Sequence, residues 1–249
     1  MKSIEKEFKP VFTQRILVAL VILFSFCGFA QKADPSHAGA ANNAELDAVL
    51  AQMDKAAQSF KSVQADFQWD QYTKVVNDTD VQKGQLYLQR HGNDIEAGVI
   101  ITAPSPKQIL FKDGKVRMYE PKIDQVTERA VGKNKADVEG FMRLGFGERG
   151  HDLLKSYEVK MDGWETVDGV KTAKLELVGN PSSNISNVFS RIIWWIDPER
   201  DVSLQQQLFQ PSGDYRLAHY SNITVNSKPS QDFFHLKTGP KTKVVVMNQ

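Results

Sequence analysis

The sequence predicts a mainly β protein, an antiparallel meander with one amphipathic helix ahead of it and short helices inserted halfway. Three observations carry this. Leu46, Val49, Leu50, Met53, Ala56, Ala57 and Phe60 recur at the i, i+3, i+4, i+7 spacing of one helix face. From Ser62 the period falls to two, so Val63, Ala65, Phe67 and Trp69 face one way and Gln64, Asp66, Gln68 and Asp70 the other. The same alternation then returns strand after strand, each bounded by Gly, Asn, Asp or Pro. A helix with one apolar side followed at once by a strand with one apolar side places that helix on the inner face of the sheet.

Ahead of the helix, Lys2, Lys6, Lys9 and Arg15 precede an apolar run from Ile16 to Phe26, and Gly28, Phe29 and Ala30 supply a small-residue cleavage site. This reads as a signal peptide over residues 1–30, cleaved after Ala30. The run is shorter than the roughly 20 residues of a membrane anchor. Cys27 raises an acylated N-terminus, but Phe24 and Phe26 stand where a lipoprotein signal wants small or aliphatic residues. Residues 31–41 are small and polar and read as a flexible lead-in, leaving 42–249 as one domain, with Asn42 and Glu45 placed to cap the first helix.

Cleavage takes four of the 31 basic and two of the 30 acidic residues, leaving 27 against 28. No basic field invites nucleic acid. It also takes the single cysteine, and with it disulfides, thiolate metal sites and thiol nucleophiles.

Past the first strand, Val81 to Gln89 and Ile95 to Ile101 alternate, and Pro104-Ser105-Pro106 interrupts the ladder. Gln108 to Lys112 and Val116 to Glu120 flank Asp113-Gly114, the clearest hairpin, since Asp-Gly takes the positive φ angles of a two-residue turn. Gln125 to Ala130 is a short strand. From Lys135 to Leu144 the spacing of Val138, Phe141 and Met142 is helical, and Leu153-Leu154 begins another helical turn. The meander resumes with Tyr157 to Met161, a turn at Asp162-Gly163, Thr166 to Asp168 and Lys171 to Val178. Arg191 to Asp197 is apolar on both faces, so it is covered on both sides or faces an apolar cavity. Leu204 to Phe209 and Tyr215 to Val225 follow, then apolar runs at Phe233 to Leu236 and Val244 to Val246.

Catalytic chemistry is hard to find. His37, His91, His151, His219 and His235 are scattered without metal-ligand spacing, and no nucleophile elbow, phosphate loop or dinucleotide fingerprint occurs. Asp113, Asp162 and Asp168 belong to Asp-Gly turns. Asn77, Asn184 and Asn222 sit in glycosylation sequons and read as loop residues. The expectation is a non-enzyme with no metal and no cofactor. The apolar strand faces fit either a filled core or a cavity with a helical cover, and the pattern alone favours the filled core.

The order helix, alternating strand, Gln82-Lys83-Gly84-Gln85-Leu86-Tyr87-Leu88-Gln89-Arg90, then the Asp113-Gly114-Lys115 hairpin with Met118-Tyr119-Glu120-Pro121, resembles the LolA family of periplasmic lipoprotein carriers. The resemblance includes the helical insert and the closing Phe233 to Leu236 strand, and lies in order and spacing rather than in any single motif. It implies an unclosed antiparallel β-barrel of about eleven strands under a helical lid, holding the acyl chains of lipoproteins. The implied partners are acylated lipoproteins, an inner-membrane ABC transporter that releases them and an outer-membrane acceptor. The implied location is the periplasm and the implied state a monomer. It also implies that Arg90 latches the lid, although His91-Gly92 follows where the family commonly has proline.

On that basis the lipid-contacting residues are Phe67, Trp69, Leu86, Leu88, Ile109, Phe111, Met118 and Trp195 of the sheet, and Val49, Met53, Phe141 and Met142 of the cover. The placement of Ile109 and Phe111 depends on register. Gly140, Gly145, Gly147 and Gly150 are candidate hinges. Two rivals stand beside the carrier: a lipid-binding or lipoprotein-sensing module of the same fold, and a secreted enzyme marked by two buried acids in a polar cleft.

Overall fold

A computed structural model describes residues 44–92, 94–132, 135–181, 184–228, 230 and 233–247. The expected signal peptide, lead-in and Asn42 cap lie outside the described residues. Helix α1 (Ala44–Ser59) leads into a single twelve-stranded sheet: β1 (Ser62–Thr73), β2 (Asp78–His91), β3 (Asp94–Ala103), β4 (Lys107–Lys112), β5 (Lys115–Glu120) and β6 (Gln125–Ala130). After two short helices, α2 (Lys135–Arg143) and α3 (Gly150–Ser156), come β7 (Tyr157–Val167), β8 (Val170–Gly179), β9 (Arg191–Asp197), β10 (Val202–Phe209), β11 (Tyr215–Val225) and β12 (Lys243–Met247).

The strand order β12-β6-β5-β4-β3-β2-β1-β11-β10-β9-β8-β7 leaves β7 and β12 as edges, so the barrel is unclosed as expected. It has twelve strands rather than about eleven. The added one is β12, which pairs parallel to β6 and leaves Val244 and Val246 exposed. All other pairings are antiparallel.

Turn chemistry sets the hairpins. Asp113 and Gly114 both take positive φ (53° and 66°), as do Asp168 and Gly169 (50° and 78°), which suits the right-handed twist of the flanking strands. Asp162-Gly163 is not a turn. Strand β7 runs through it with a register shift between Met161 and Trp164, so the extra residues form a bulge. The Phe233–Leu236 strand is absent too. That segment crosses the outer face of the sheet, where Phe233 and Phe234 pack on Tyr87 with ring centroids 5.6 and 5.3 Å away. Gly98 makes room for it, since a Cβ there would stand 2.2 Å from the Phe233 carbonyl oxygen.

The core lies on the inner face. Leu46, Val49, Leu50 and Met53 of α1 and Leu153 of α3 pack on Val159, Leu175, Leu177, Ile192, Trp194, Ile196 and Leu208 of β7 to β10. Helix α3 seats directly against α1, because Gly150 carries no Cβ where one would meet the Leu50 carbonyl oxygen at 2.3 Å. His151 ties the same two helices, its ring within 3.2 Å of Asp47 and its Nδ1 2.5 Å from Asp54. Those carboxylates hold its pKa above the usual histidine range.

Candidate functional site: the inner face and its latch

Register assigns faces residue by residue. Ala65 pairs with Leu86, Leu86 with Val99, Val99 with Ile109 and Ile109 with Met118. One row over, Val63, Leu88, Ala97, Phe111 and Val116 stand side by side. Side chains paired across a ladder share a face, and so do residues two apart along a strand. Phe67, Trp69, Leu86, Leu88, Ile109, Phe111 and Met118 therefore line one continuous inner floor. Apart from the half-buried Trp69, these residues are between 1% and 8% exposed, so the floor is closed.

Of the expected cover residues, Val49 and Met53 face the β7 to β10 half of the floor. Met142 on α2 is half-buried. The side chain of Phe141 lies outside the described residues.

Trp195 is a correction. Strand β9 is apolar on both faces, so its period gives no sign of which tryptophan points inward. Leu175 pairs with Trp194 and Lys174 with Trp195. Trp194 is the fully buried inner residue. Trp195 stands on the outer face, where its indole donates to Glu165 Oε2 at 2.6 Å and Lys174 Nζ lies 5.1 Å from its ring. Long charged side chains thus cover the second apolar face of this strand.

The floor is not apolar throughout. Lys107 and Glu120 face each other at 2.9 Å in the row of Phe67, Gly84 and Ile101, and both are buried. An ion pair is what lets two such charges be buried there.

Arg90 closes β2 at the rim of the floor. Its Nη1 donates to the Ala57 carbonyl in the last turn of α1 at 3.4 Å, and its Nη2 to the Gly147 carbonyl between α2 and α3. Its Cζ lies 5.9 Å from the centre of the Phe60 ring. A cation at a helix C-terminus is favourably placed against the helix dipole. Arg90 therefore ties the sheet to the first helix and to the insert at once.

The insert is docked beside that point. The Gly147 amide donates to the Asp201 carbonyl (3.0 Å), the Ser203 amide to Gly145 (2.6 Å) and the Gln206 side chain to Leu144 (2.8 Å). Gly147 has φ +76°, and a Cβ there would stand 2.3 Å from the Phe60 ring; one at Gly145 would stand 2.3 Å from Gln206 Nε2. Three of the four expected hinge glycines are thus close-packed seats, whereas a Cβ at Gly140 would meet only Arg143 Nη2, at 3.9 Å.

Two acids that the sequence did not single out complete the node. Glu148 accepts from Arg143 Nε at 2.8 Å, and burial raises its pKa. Asp201 has no exposed surface, and neither carboxylate oxygen has a hydrogen-bond partner. Burial, with Glu148 close by, pushes Asp201 up to about 8. Arg90 is drawn down by burial and by the charge of Arg143. No sequence signal marks these acids, because residues 90, 148 and 201 meet only through the fold.

Of the histidines, His219 contacts Asp168 at 2.6 Å on the outer face and His91 is exposed near Glu96. An open recess of about 750 Å³ lies beside His91, Glu96, Lys112, Lys135 and His235, away from the apolar floor. Among the described residues no cluster has the composition of a metal site. None of the described helices is long and apolar enough to cross a membrane.

No family model and no curated protein matches the chain. Solved structures do match. An uncharacterized conserved protein from Thermus thermophilus is 10% identical, with TM-score 0.53 over 82% of this chain and 99% of its own. MucB is 12% identical, with TM-score 0.51 over 82% of this chain and 66% of its own, so this chain spans about two thirds of MucB. A LolA superfamily protein from Nitrosomonas europaea is 15% identical, with TM-score 0.36 over 76% and 96%. The third score is too low to argue from, and likeness at such identities bears on fold alone. The first two likenesses are likenesses of fold, which in this chain is an unclosed antiparallel sheet under a helical cover.

Proposed function

We propose that this protein is a carrier of acyl chains, an exported, non-catalytic binding protein whose inner floor takes up the lipid part of acylated lipoproteins when its helical cover lifts. The observation that carries this reading is the pairing of a largely apolar floor with a cover that one arginine ties to the sheet at the rim. An ordinary core has no need of a removable tie. Here, one guanidinium spans the sheet, α1 and the insert, so a competitor for the floor and a loss of the Arg90 contacts act on the same equilibrium.

In this reading the chain works in the periplasm as a monomer. It accepts lipoproteins released by an inner-membrane ABC transporter and delivers them to an outer-membrane acceptor. The enzyme alternative has less support: Asp201 is buried and Glu148 half-buried, but both lie beside Arg90 and Asp201 has no surface open to a substrate.

Native mass spectrometry of the mature protein from a periplasmic extract, followed by lipid extraction, tests the reading. Co-purified triacylated lipoprotein is the expected result, and free lipid alone would favour a general lipid carrier. A bare mass, together with failure to take up a fluorescent acyl probe, would overturn it. Arg90→Leu is expected to bind lipid yet transfer it poorly in a membrane-release assay. Normal transfer would sink the latch.

A further inference from the structure

The inner floor changes chemistry toward the β1–β2 and β10–β11 turns. Trp69 stacks on Phe67 with ring centroids 4.0 Å apart, and the Arg216 guanidinium lies 5.1 Å from the Trp69 ring. Register sets Arg216 between Gln71 of β1 and Leu208 of β10, on the same inner face. Every other inner cation described above has a partner: Lys107 has Glu120, and Arg90 has two carbonyls. Arg216 does not. Its Nε is buried without a hydrogen-bond partner, and among the described residues no carboxylate lies within ion-pair distance of it. Burial draws its pKa down, with the nearby Tyr220 hydroxyl opposing.

The Trp69 indole nitrogen is in the same position. It lies toward the Tyr220 hydroxyl but outside hydrogen-bond geometry, buried and without an acceptor. A half-buried cation whose Nε is sealed from water without an acceptor carries a cost, and a buried indole N–H ordinarily finds an acceptor. The Arg216 Nε thus lacks an acceptor, and the Trp69 indole has only the poorly placed Tyr220 hydroxyl.

We propose that Arg216, with Trp69, binds the anionic head of an acylated amphiphile, a carboxylate or phosphate oxyanion, while its chain runs over the floor past Phe67 and Leu86. This rests on the reading of the floor as an acyl site. The guanidinium fork matches both oxyanions, and the indole ring beneath it holds the fork in place. A strand rise of roughly 3.3 Å per residue puts about 26 Å between Gln71, beside Arg216, and Val63 at the far end of β1. That is room for an extended long acyl chain. The cargo class then includes free fatty acids and anionic phospholipids as well as the acyl groups of lipoproteins.

The test compares binding of cis-parinaric acid and its methyl ester to the mature chain at pH 8, for the unmodified protein, Arg216→Met and Arg216→Lys. The acid is expected to bind about ten-fold more tightly than the ester, a difference of one hydrogen-bonded charge. Arg216→Met should erase that difference by weakening the acid alone, and Arg216→Lys should keep part of it. Because the methionine variant removes an unpaired charge, its melting temperature is expected to match or exceed that of the unmodified protein, which separates lost binding from lost folding. Displacement of the acid by lysophosphatidic acid more than by lysophosphatidylcholine would assign the site to phosphate heads, and displacement by palmitate more than by either would assign it to carboxylates. Equal binding of acid and ester, unchanged in Arg216→Met, would overturn the head site while leaving the acyl reading intact. Binding of neither probe would overturn both.

Discussion

Replacing Arg90 by leucine should loosen the cover without unfolding the sheet, and the size of the effect can be worked out from the contacts. The side chain donates to two carbonyls, one of them at a long 3.4 Å, and lies over Phe60. A hydrogen bond to a charged group contributes about 1.5–3 kcal/mol, and the longer bond and the cation–ring contact add less. Leucine regains part of this because it needs no desolvation, but Glu148 and Asp201 lose their neighbouring cation. The net loss of closure is about 1.5–3 kcal/mol, or roughly 10- to 150-fold in the opening equilibrium. Hydrogen exchange reads it directly, because the Gly147 and Ser203 amides bond across the seam between insert and β10. Their protection should fall by that factor, while peptides around Met53 in the α1 core keep theirs. Arg90→Lys should lie between, since an ammonium has no fork to span both carbonyls. Unchanged protection at Gly147 and Ser203 in Arg90→Leu would refute the latch.

Asp201→Asn should stabilise the protein in a pH-dependent way. The folded state holds the proton to about 8, whereas the unfolded carboxyl releases it near 3.8, so stability is full below about pH 4 and falls as pH rises toward 8. The asparagine, which also tolerates the positive φ of 53°, should gain at least about 1.4 kcal/mol in urea unfolding at pH 8 and almost nothing at pH 4. His151→Ala should act the other way. The raised histidine pKa means that its ties to Asp47 and Asp54 stabilise below neutrality and weaken as pH rises, so the melting temperature should drop at pH 6 and hardly move at pH 9. Trp194→Ala should cost about 3–5 kcal/mol as a core truncation, and Trp195→Ala at least about 1 kcal/mol less, with acyl binding intact. Gly98→Val should drive the Phe233 segment off the outer face, seen as faster proteolysis between residues 228 and 240.

The faces of β1 and β2 are legible because their period of two is clean, whereas in β4 the consecutive apolar residues Ile109, Leu110 and Phe111 leave the face to the register. Ile109 and Phe111 fell on the inner face through the ladder that joins Val99 to Ile109 and Ala97 to Phe111. Strand β9 carries no such period, so Trp194 and Trp195 could be told apart only by their partners, Leu175 and Lys174. The C-terminal segment was legible as apolar but not as a strap. The clue lay elsewhere, in Tyr87 and Gly98, a large aromatic paired with a residue that has no side chain on the outer face. Arg90 came from a resemblance in the order of the strands. The acids around it, and the solitary Arg216, had no local signal at all, since what distinguishes them is burial and the lack or presence of a partner. Asp162-Gly163 has the sequence of a turn yet forms a bulge, because Asp-Gly serves both: Gly163 takes φ +99° inside a continuous strand.

The central claim, that acyl chains occupy the inner floor, is tested most directly by photolabelling with a fatty acid carrying a diazirine at its chain end, followed by peptide mapping. Labels are expected on inner-face residues such as Phe67, Leu88, Phe111 and Met118, more of them in Arg90→Leu, and few on the outer-face residues Tyr87 and Leu110. Labels confined to the outer face or to the recess beside His91, or none above a denatured control, would contradict it.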